Sequence, residues 1–599
     1  MSFDELDALA AEIRAFLIAN VSRTGGHLAS NLGVVELTIA IHNVFDSEKD
    51  RILFDVGHQS YVHKILTGRA DQFDSLRAYG GMAGFPKPSE SVSDAFTAGH
   101  ASSAVSTALG IARARTLRNE DYSVVAVVGD GAMTGGLFYE GMNDAGSSME
   151  PMIVILNDNG MSISENVGSI SGYLSRLRLK PAYFGLKRRY RMLMKKLPGG
   201  SVIYQKTHAF KDKLRKRLLG TTIFEQMGFK YLGPIDGHDI RKISYLLSRA
   251  KEEACPVLLH VITKKGKGYT PAEQTPAEYH GVGSFDPRCG VTPSGSESFS
   301  AALGDALAEI AEQNRSVCAI TAGMADGTGL TRFAERFPER FFDVGIAEGH
   351  AVSMAAGLAK QGFCPVFAVY STFLQRGYDM ILQDIALQNL HAVFCVDRAG
   401  LVGADGETHH GVFDVGYLRD VPGMTVLAPA SYAELREMLD TAVNRMDSPV
   451  AIRYPRGNQG DSAFPMDRDL VRTGSDLTIL TYGTLTENAI TAAKTLKQQG
   501  ISAEILRLRR LKPLDLRETE RSVRKTGRLL IVEEQNSHSG IGESVCARLM
   551  EDGIFCLLRR LDLGDEYITH GDTELLRQIA GIDAEAIVRT ALEELHLES

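Results

Sequence analysis

The stretch Val-Val-Ala-Val-Val-Gly-Asp-Gly-Ala-Met at residues 124–133 is an apolar, β-branched run that ends directly in a polar turn. A second run, Met-Ile-Val-Ile-Leu-Asn-Asp-Asn-Gly-Met, occupies residues 152–161. Continuous apolar runs of this kind are typical of strands in parallel sheets, which are covered on both faces. Asp130 and Asn159 are 29 residues apart, about one strand–helix–strand crossover. Parallel neighbours would bring both side chains to the carboxyl edge of one sheet, where ligands of open α/β sheets bind.

The same alternation of apolar runs and helix-like segments continues along the chain and predicts an α/β fold of mainly parallel sheets flanked by helices. Helical periodicity is clearest at residues 301–313, 351–360 and 487–499. The predicted strands are residues 124–128, 152–156, 257–262, 317–321, 366–369, 392–396, 477–480 and 528–532.

The chain has 599 residues, which is too many for a single hydrophobic core. Residues 270–297 are rich in Pro, Gly and Ser and predict a linker, and polar residues around 457–475 predict a second break. We therefore expect three domains, at residues 1–297, 298–465 and 466–599.

Composition narrows the class of protein. The formal net charge is −9, so no global charge favours nucleic acid as a partner. The seven cysteines are scattered without a CxxC pair, which argues against disulfides or a zinc site and favours the reducing cytoplasm. The N-terminal residues lack a basic start followed by an apolar run, and no stretch approaches 18 apolar residues. We expect no secretory signal and no membrane association.

Residues 176–217 carry fifteen Lys or Arg and a single acid, Asp212. Such a run could bind nucleic acid or an anionic membrane, or it could be a mobile, solvated insertion. We favour the insertion, because the rest of the chain compensates the charge and no aromatic stacking pattern accompanies the run.

Oxygen-bearing residues at the two strand ends predict a magnesium–diphosphate site. Asp130 would supply a charged ligand, Asn159 a neutral side-chain oxygen and Met161 a backbone carbonyl, which suits Mg²⁺. Gly129 and Gly131 would let a diphosphate approach the backbone. Gly-Asp-Gly alone would be only a turn, but its pairing with Asn-Asp-Asn at one-crossover spacing resembles the diphosphate motif of thiamine-diphosphate enzymes.

Glu348 is the candidate for the activating carboxylate of such an enzyme. It precedes a small-residue helix predicted at residues 351–360. In thiamine-diphosphate enzymes a buried, partly protonated carboxylate contacts the aminopyrimidine, so that the thiazolium C2 can lose its proton. Taken alone, Glu348 could equally be an acid that interacts with the helix dipole. Phe373, after the predicted strand at 366–369, could stack on the pyrimidine or belong to the core.

Four histidines in Gly-rich, turn-like contexts suit proton transfer to carbonyl and hydroxyl oxygens, although a lone histidine is usually structural. They are His27, His58, His100 and His409. Three arginines at strand ends or turns of the middle domain, Arg376, Arg398 and Arg456, predict a phosphorylated substrate, because guanidinium groups bind phosphate in a bidentate manner. Any one of them alone would more simply form a surface ion pair.

Together these motifs resemble the 1-deoxy-D-xylulose-5-phosphate synthase family of transketolase-like enzymes over nearly the full length. The stretches that carry the resemblance begin at Arg23 (Arg-Thr-Gly-Gly-His-Leu-Ala-Ser), Asp55 (Asp-Val-Gly-His-Gln-Ser-Tyr), Gly129, Asn157, Met161 (Met-Ser-Ile-Ser), Gly233 (Gly-Pro-Ile-Asp-Gly-His-Asp), Lys264 (Lys-Lys-Gly-Lys-Gly-Tyr), Tyr370 (Tyr-Ser-Thr-Phe-Leu-Gln-Arg) and Val402 (Val-Gly-Ala-Asp-Gly-Glu-Thr-His-His-Gly).

The resemblance implies a homodimeric, cytoplasmic transferase of three α/β domains that uses thiamine diphosphate and Mg²⁺. It would decarboxylate pyruvate and join the two-carbon unit to D-glyceraldehyde 3-phosphate, giving 1-deoxy-D-xylulose 5-phosphate and CO2 for isoprenoid, thiamine and pyridoxal biosynthesis. The first domain would bind the diphosphate and magnesium, and the middle domain the pyrimidine.

The resemblance also implies roles for individual residues. His27, His58 and His409 would act around the reacting carbon and the acceptor. The acceptor and its phosphate would be held by Ser30, Tyr370, Arg376, Arg398, Asp405, His409 and Arg456. The cofactor would be held by His58, Gly99, His100, Ala101, Gly129, Asp130, Gly131, Ala132, Asn159, Met161, Lys267, Glu348 and Phe373.

Two positions depart from the family pattern: Gly160, where a charged residue is common, and Gly349, where glutamine is common. Both concern the fine positioning of the cofactor. The magnesium motif alone leaves open a transketolase or a fused first component of a 2-oxo-acid dehydrogenase. A non-catalytic scaffold that keeps the fold and binds nucleic acid is a further alternative, against which Glu348 and the full set of histidines argue.

Overall fold

The structure is a computed structural model that describes residues 1–161, 167–178, 221–291 and 297–593. Contacts divide the chain into two compact units. The first contains residues 1–76 and 84–292, and the second contains residues 77–83 and 293–599. Of the basic run at 176–217, only residues 176–178 lie within the described part, so the interpretation of that run as a solvated insertion lies outside it.

The first unit is built on a parallel five-stranded sheet in the order β1-β2-β3-β5-β4. Its strands are β1 (Arg51–Phe54), β2 (Val124–Gly129), β3 (Ile153–Asp158), β4 (Lys230–Asp236) and β5 (Val257–Ile262). Nearly every residue of β2, β3 and β5 is buried. Both faces of these strands are covered, which explains why their sequences are continuously apolar and do not alternate between apolar and polar residues. Gly129 pairs in register with Asn157, so the polar residues after β2 and β3 emerge at one sheet edge.

Helices surround this sheet. The long N-terminal helix begins with a capping box formed by Ser2 and Glu5, and it buries a stripe that includes Leu6, Ile13 and Leu17. The helices of the first unit are Phe3–Thr24, Leu28–Gly33, Val35–His42, Tyr61–Lys64, Ala104–Arg118, Gly136–Ser148, Gly168–Arg178, Ile223–Gln226, Ile240–Lys251 and Thr270–Gln274.

The second unit contains two sheets. The first of them has seven strands in the order β15-β10-β11-β9-β8-β6-β7. These strands are β6 (Val317–Thr321), β7 (Phe341–Asp343), β8 (Cys364–Tyr370), β9 (Val393–Asp397), β10 (Thr425–Leu427), β11 (Val450–Arg453) and β15 (Arg510–Lys512). All neighbours are parallel except β15, which pairs antiparallel with β10.

The other sheet of the second unit has the order β12-β14-β13-β16-β17 and is parallel except for β12. Its strands are β12 (Leu470–Arg472), β13 (Leu477–Thr481), β14 (Ala503–Arg507), β16 (Arg528–Val532) and β17 (Leu557–Leu561). The longer helices of the second unit are Phe299–Gln313, Glu348–Lys360, Asp414–Asp420, Tyr432–Asn444, Leu485–Gln498, Arg517–Thr526, Gly542–Glu551, Thr573–Ala580 and Ala584–Glu593.

Each sheet of the second unit has a core of its own. Residues of helices Phe299–Gln313 and Tyr432–Asn444 pack with β6, β8 and β11 in one cluster. Residues of helices Leu485–Gln498 and Ala584–Glu593 pack with β13, β14 and β16 in a second cluster. The α/β class with mainly parallel sheets is therefore confirmed, whereas the three domain boundaries stay predictions.

The predicted linker at residues 270–297 is wrong for its described part. Residues 270–291 belong to the first unit, where Tyr279 and Val282 are buried and Gly26 bridges Val282. A Cβ on Gly25 would lie 2.7 Å from the Val282 carbonyl oxygen, so this segment packs tightly against the end of the N-terminal helix. The glycines and prolines serve close packing here, which composition alone does not distinguish from a linker.

The predicted helix at 351–360 begins three residues earlier, so that Glu348 is itself the first helical residue. No helix within the described ranges is long and apolar enough to cross a membrane. All seven cysteines are free thiols.

Candidate functional site

Asp130 lies at the carboxyl edge of the first sheet, directly after β2, and is 3% exposed. Its backbone N–H donates to the Asn157 carbonyl at 3.1 Å, which fixes it beside the end of β3. The Gly160 N–H donates to Asp130 Oδ2 at 2.7 Å. Asn159 and Met161 follow β3, and the Met161 N–H donates to Asn159 Oδ1 at 3.0 Å. The structure therefore brings the three predicted metal ligands to one edge.

The second carboxylate oxygen of Asp130, Oδ1, is buried and has no hydrogen-bond partner within the described part of the chain. Burial and, to a smaller extent, the neighbouring Asp158 carboxylate together raise the pKa of Asp130 to about 8, because burial and an adjacent anion both disfavour its charge. Asp158 stays charged, because His260 Nε2 lies 2.9 Å from its Oδ2 and helps to hold its pKa low.

Two basic side chains of the described residues lie near this pair, Arg178 and Lys265, and Arg178 Nε is 3.4 Å from Asp158 Oδ2. The Lys265 side chain is 5% exposed, and burial lowers its pKa to about 8, although the Asp130 carboxylate opposes that shift. Lys265 Nζ also donates to His280 Nδ1 at 3.2 Å. By contrast, Lys267, the lysine predicted to hold the cofactor, is only partly buried, and its carbonyl accepts from Arg14 Nε at 2.8 Å.

These residues fit Mg²⁺ and a diphosphate. An unpartnered buried carboxylate oxygen beside a second carboxylate would gain a counter-charge from a divalent cation. A Cβ on Gly129 would meet no atom within 4 Å, so space lies open over the backbone at this edge. No cluster of three or more His, Cys, Asp or Glu side chains stands ready for a metal in the ranges that the structure describes. The candidate magnesium ligands, which are the Asp130 carboxylate and the neutral oxygens of Asn159 and Met161, stay a prediction.

Three histidines gather in the first unit. The ring centroids of His27 and His58 lie 5.5 Å apart, and His280 lies 5.7 Å from His27 and 5.1 Å from His58. Asn31 fixes the two loops, because its Nδ2 donates to the carbonyls of His27 at 2.6 Å and His58 at 2.8 Å. The Tyr61 hydroxyl lies 3.4 Å from His27 Nδ1. The arrangement places three imidazoles in one partly buried cluster.

The loop that carries Gly99, His100 and Ala101 is held by a buried acid. Asp55 follows β1 and is 2% exposed, and its two oxygens accept from the backbone N–H groups of Ser102 at 2.7 Å and Ala104 at 3.0 Å. The Ser102 hydroxyl donates to the Ala132 carbonyl at 2.7 Å, which ties this loop to the turn after Asp130. The predicted cofactor contacts at 99–101 and 129–132 are therefore joined through Ser102.

Ser30 lies within the helix Leu28–Gly33, close in sequence to His27. It is 7% exposed, and its hydroxyl has no hydrogen-bond partner inside the described ranges.

In the second unit, Glu348 is 4% exposed at the first turn of its helix. Burial raises the pKa of Glu348, and the Arg376 guanidinium only partly opposes the shift. A raised pKa suits a carboxyl group that must keep or share a proton. The structure thus brings Arg376, predicted to bind the acceptor, into the electrostatic surroundings of Glu348.

An aromatic stack follows β8. The rings of Tyr370 and Phe373 are 5.7 Å apart and nearly parallel, and His409 meets the edge of Phe373 at 5.6 Å. The Arg398 guanidinium lies over the Tyr370 ring, 3.8 Å from its centroid. His409 Nδ1 lies 2.9 Å from the Thr408 hydroxyl. Four predicted site residues therefore form one contiguous group.

Arg456 and Asp405 join this group. Arg456 Nη1 donates to the Val402 carbonyl at 3.1 Å. Burial lowers the pKa of Arg456, the Arg398 charge lowers it further, and Asp405 opposes the shift. Arg77 Nη2 donates to Asp405 Oδ1 at 2.6 Å, so a residue from the short segment 77–83 fixes the predicted acceptor-positioning acid. Three guanidinium groups and one carboxylate form a site that suits a phosphate.

Three residues near the candidate sites are not predicted from the sequence: Lys265, His280 and Arg77. Lys265 belongs to the Lys-Lys-Gly-Lys-Gly-Tyr motif, in which the sequence alone does not show which lysine lies near the cofactor. His280 lies in the segment that is predicted as a linker. Its position between Tyr279 and Gly281, in a turn-like context, is the sequence feature that could have indicated a site. Nothing in the local sequence around Arg77 indicates a contact with Asp405.

One of the two departures from the family pattern has a backbone reason. Gly160 has φ 79°, a left-handed conformation that favours glycine. A Cβ on Gly349 would meet only the flexible end of the Met380 side chain, so nothing in the packing requires glycine there.

Three family models match successive parts of the chain. Residues 296–461 match the family model described as "Transketolase, pyrimidine binding domain", and residues 468–587 match "Transketolase, C-terminal domain". A crystal structure of transketolase from Campylobacter jejuni is similar at 18% identity with a TM-score of 0.42, covering 99% of this chain and 100% of that chain. The two matched domain models are those of the transketolase class of thiamine-diphosphate enzymes.

Residues 1–263 match the family model described as "1-deoxy-D-xylulose-5-phosphate synthase". The 1-deoxy-D-xylulose-5-phosphate synthase of Natranaerobius thermophilus is 48% identical over 611 residues, covering 100% of this chain and 97% of the relative. The 1-deoxy-D-xylulose-5-phosphate synthase 1 of Geobacter sulfurreducens is 49% identical over 600 residues, covering 98% and 94%. The chain belongs to the 1-deoxy-D-xylulose-5-phosphate synthase family.

This family consists of transketolase-type transferases that use thiamine diphosphate and Mg²⁺. Its reaction decarboxylates pyruvate and condenses the two-carbon unit with D-glyceraldehyde 3-phosphate, and the product serves isoprenoid biosynthesis. The predicted function and cofactors are confirmed at this level.

Proposed function

We propose that this chain forms 1-deoxy-D-xylulose 5-phosphate from pyruvate and D-glyceraldehyde 3-phosphate with the residues described above. The observation that carries the assignment of residues is Asp130, whose buried Oδ1 is unpartnered beside the Asp158 carboxylate. A divalent cation at this point would add positive charge beside two buried carboxylates and give Asp130 Oδ1 a partner.

Two sets of residues would bind the cofactor. Asp130, Asn159 and the Met161 carbonyl would hold Mg²⁺, and Lys265 would add a positive charge for the diphosphate. Phe373 would stack on the aminopyrimidine, and Glu348 would face it with a carboxyl group whose pKa is raised by burial. Thiamine diphosphate supplies the electron sink for the carbon that decarboxylation releases.

The acceptor would be bound by charge and by proton donors. Arg398, Arg456 and Tyr370 would hold the phosphate, because guanidinium groups match its oxygens. Asp405, fixed by Arg77, would position the acceptor. The histidine cluster of the first unit and His409 of the second would move protons to and from carbonyl and hydroxyl oxygens, which suits near-neutral imidazoles.

The remaining expectations belong to this proposal. We expect a homodimer, with a mass in solution of twice 65.2 kDa by light scattering. A monomer at working concentration would contradict it. The free thiols suit a reducing compartment such as the cytoplasm.

The reaction is tested by measuring which two-carbon donor the protein consumes, pyruvate or a ketose phosphate. Purified chain with thiamine diphosphate and Mg²⁺ should convert pyruvate and D-glyceraldehyde 3-phosphate to product and CO2 in equal amounts. The matched variant Glu348→Gln, which keeps size and burial, should be inactive although folded. If a ketose phosphate is consumed as donor and pyruvate is not, the chain is a transketolase and the proposal fails.

A further inference from the structure

Asp397 is a buried acid behind the arginine group of the second unit. It is the last residue of β9 and pairs in register with Tyr370, the last residue of β8. Its side chain is 0% exposed. The next residue is Arg398, whose guanidinium lies over the Tyr370 ring. Asp397 therefore sits at the strand edge from which the phosphate-binding group emerges, without having been assigned a role there.

The hydrogen bonding of Asp397 is incomplete. The Ser300 hydroxyl donates to Asp397 Oδ2 at 2.6 Å. Asp397 Oδ1 and the hydroxyl of the neighbouring Tyr454 are both buried without a hydrogen-bond partner in the described part of the protein. A buried polar oxygen without a partner is costly, so a side chain chosen only for packing would not be a carboxylate here.

The charge on Asp397 is also costly. Burial raises the pKa of Asp397 to about 6, and the Arg398 charge, the Ser300 hydroxyl and the Arg456 charge oppose the shift. The carboxyl group is thus mostly ionised near pH 7.5, at the expense of the folded state. An asparagine has the same shape and could keep the Ser300 hydrogen bond without this expense, so the fold itself does not need the charge.

The negative charge of Asp397 has a use beside the two arginines, Arg398 and Arg456. Burial is the main cause of the lowered pKa of Arg456, and the nearby Arg398 charge lowers it further, so the two guanidinium groups repel each other. Arg398 also adopts a left-handed backbone conformation with φ 58°, which is unfavourable for a side chain with a Cβ. Asp397 directly precedes Arg398 and pairs with Tyr370, on whose ring the Arg398 guanidinium lies, so its negative charge is close to the arginine group without a direct ion pair to either arginine among the described residues. That charge can offset the repulsion between the two cations, and the interaction of Asp397 with the Arg398 backbone N–H can support the left-handed turn before a phosphate arrives.

We propose that Asp397 is a positioning residue that pre-organises Arg398 and Arg456 for the phosphate of the acceptor. This inference rests on the proposed function, in which these two arginines bind that phosphate. Pre-organisation improves binding by removing the cost of ordering the site when the ligand enters. Because Asp397 is fully buried and would act through Arg398 and Arg456, we expect its effect to be confined to acceptor binding.

The test compares Asp397→Asn with wild type on two acceptors, D-glyceraldehyde 3-phosphate and unphosphorylated D-glyceraldehyde, at saturating pyruvate. We expect KM for the phosphorylated acceptor to rise by about tenfold, as when a supporting residue behind a binding group is lost. KM for the unphosphorylated acceptor and kcat should change less than about twofold, because only phosphate binding depends on Asp397. The thermal midpoint should stay equal or rise, because a buried charge is removed.

Two further variants sharpen the test. Ser300→Ala removes the hydrogen bond but keeps the charge, and should shift KM in the same direction by a smaller factor. Glu533→Gln is the matched control: Glu533 is also a buried carboxylate after a strand, with a pKa raised by burial, but it caps the backbone N–H groups of Ile541 and Gly542. It should leave the ratio of the two KM values unchanged.

Each other outcome overturns the inference. Equal losses on both acceptors, or a lower thermal midpoint in Asp397→Asn, would mark Asp397 as a structural residue. A lower KM for the phosphorylated acceptor would show that Asp397 weakens the positive field instead of organising it, and unchanged kinetics would remove any role. If wild type does not distinguish the two acceptors, the phosphate site of the proposed function fails instead.

Discussion

Replacing Asp130 by alanine should separate the folding of the first unit from its ability to hold the cofactor. Asp130 is the only charged group among the three candidate magnesium ligands, since Asn159 and the Met161 carbonyl are neutral. Without metal, its carboxylate is buried beside Asp158 with one unpartnered oxygen, so its removal takes away an electrostatic conflict. The thermal midpoint of the metal-free variant should therefore not fall much.

The magnitude follows from the charge. Two unit charges 4 Å apart interact by about 4 kcal/mol at an effective dielectric constant of 20, and a divalent ion in direct contact gains more. Loss of the carboxylate should thus weaken Mg²⁺-dependent cofactor binding by at least about 100-fold, or ~2.7 kcal/mol. At a concentration of 100 Kd, wild type gains about 2.7 kcal/mol of stability on binding, and the variant would gain only about 0.4 kcal/mol.

The assay is a thermal unfolding scan with thiamine diphosphate, with and without Mg²⁺, supported by calorimetric titration. Wild type should show a cofactor-dependent rise of the midpoint by several degrees, roughly 2–4 °C per kcal/mol for a large domain. The control is Asp144→Ala, because Asp144 is exposed and pairs only with Arg113. The control should behave as wild type. Equal cofactor affinity for wild type and Asp130→Ala would refute the magnesium assignment.

Two further predictions concern other parts of the chain. Lys265→Met should weaken cofactor binding by about tenfold in calorimetric titration, because a buried cation beside the diphosphate site is lost. Lys267→Met should change the cofactor affinity less than about twofold. A larger effect of Lys267→Met would show that Lys267, the lysine predicted from the sequence, binds the cofactor. Glu434→Gln should destabilise the second unit by about 3–5 kcal/mol in denaturant unfolding, because it strands the fully buried guanidinium of Arg507, whose Nη1 donates to both Glu434 oxygens at 2.6 Å. A change below about 1 kcal/mol would show that this buried pair adds little.

Much of the fold was predictable, because buried parallel strands leave a strong local signal. The predicted strand at residues 257–262 is β5, and the other predicted strands match observed ones to within about two residues at each end. The paired motifs after β2 and β3 were also predictable, since one-crossover spacing forces their side chains to one edge. Local apolar pattern and strand order are thus enough to place Asp130 beside Asn157.

The missed residues depend on long-range packing, which leaves no local pattern. His280 reaches the histidine cluster because residues 270–291 fold back onto the first unit, whereas their Gly and Pro content resembles a linker. Lys265 and Lys267 are equivalent by composition, and only burial next to Asp130 distinguishes them. Arg77 meets Asp405 across more than three hundred residues of sequence.

Some site features are conformational and could not be predicted from residue types. Arg398 turns left-handed directly after β9, which sends its guanidinium over Tyr370. A non-glycine residue rarely adopts this conformation, so sequence patterns give no reason to expect it.

Hydrogen–deuterium exchange at C2 of bound thiamine diphosphate, followed by NMR after acid quench, tests most directly whether Glu348 activates the cofactor. We expect wild type to accelerate this exchange far above the free cofactor. We expect Glu348→Gln, while still binding the cofactor with Mg²⁺, to lose most of the acceleration, because its buried side chain can no longer exchange a proton. Fast exchange in Glu348→Gln, or no acceleration in wild type, would contradict the claim that Glu348 activates thiamine diphosphate in this chain.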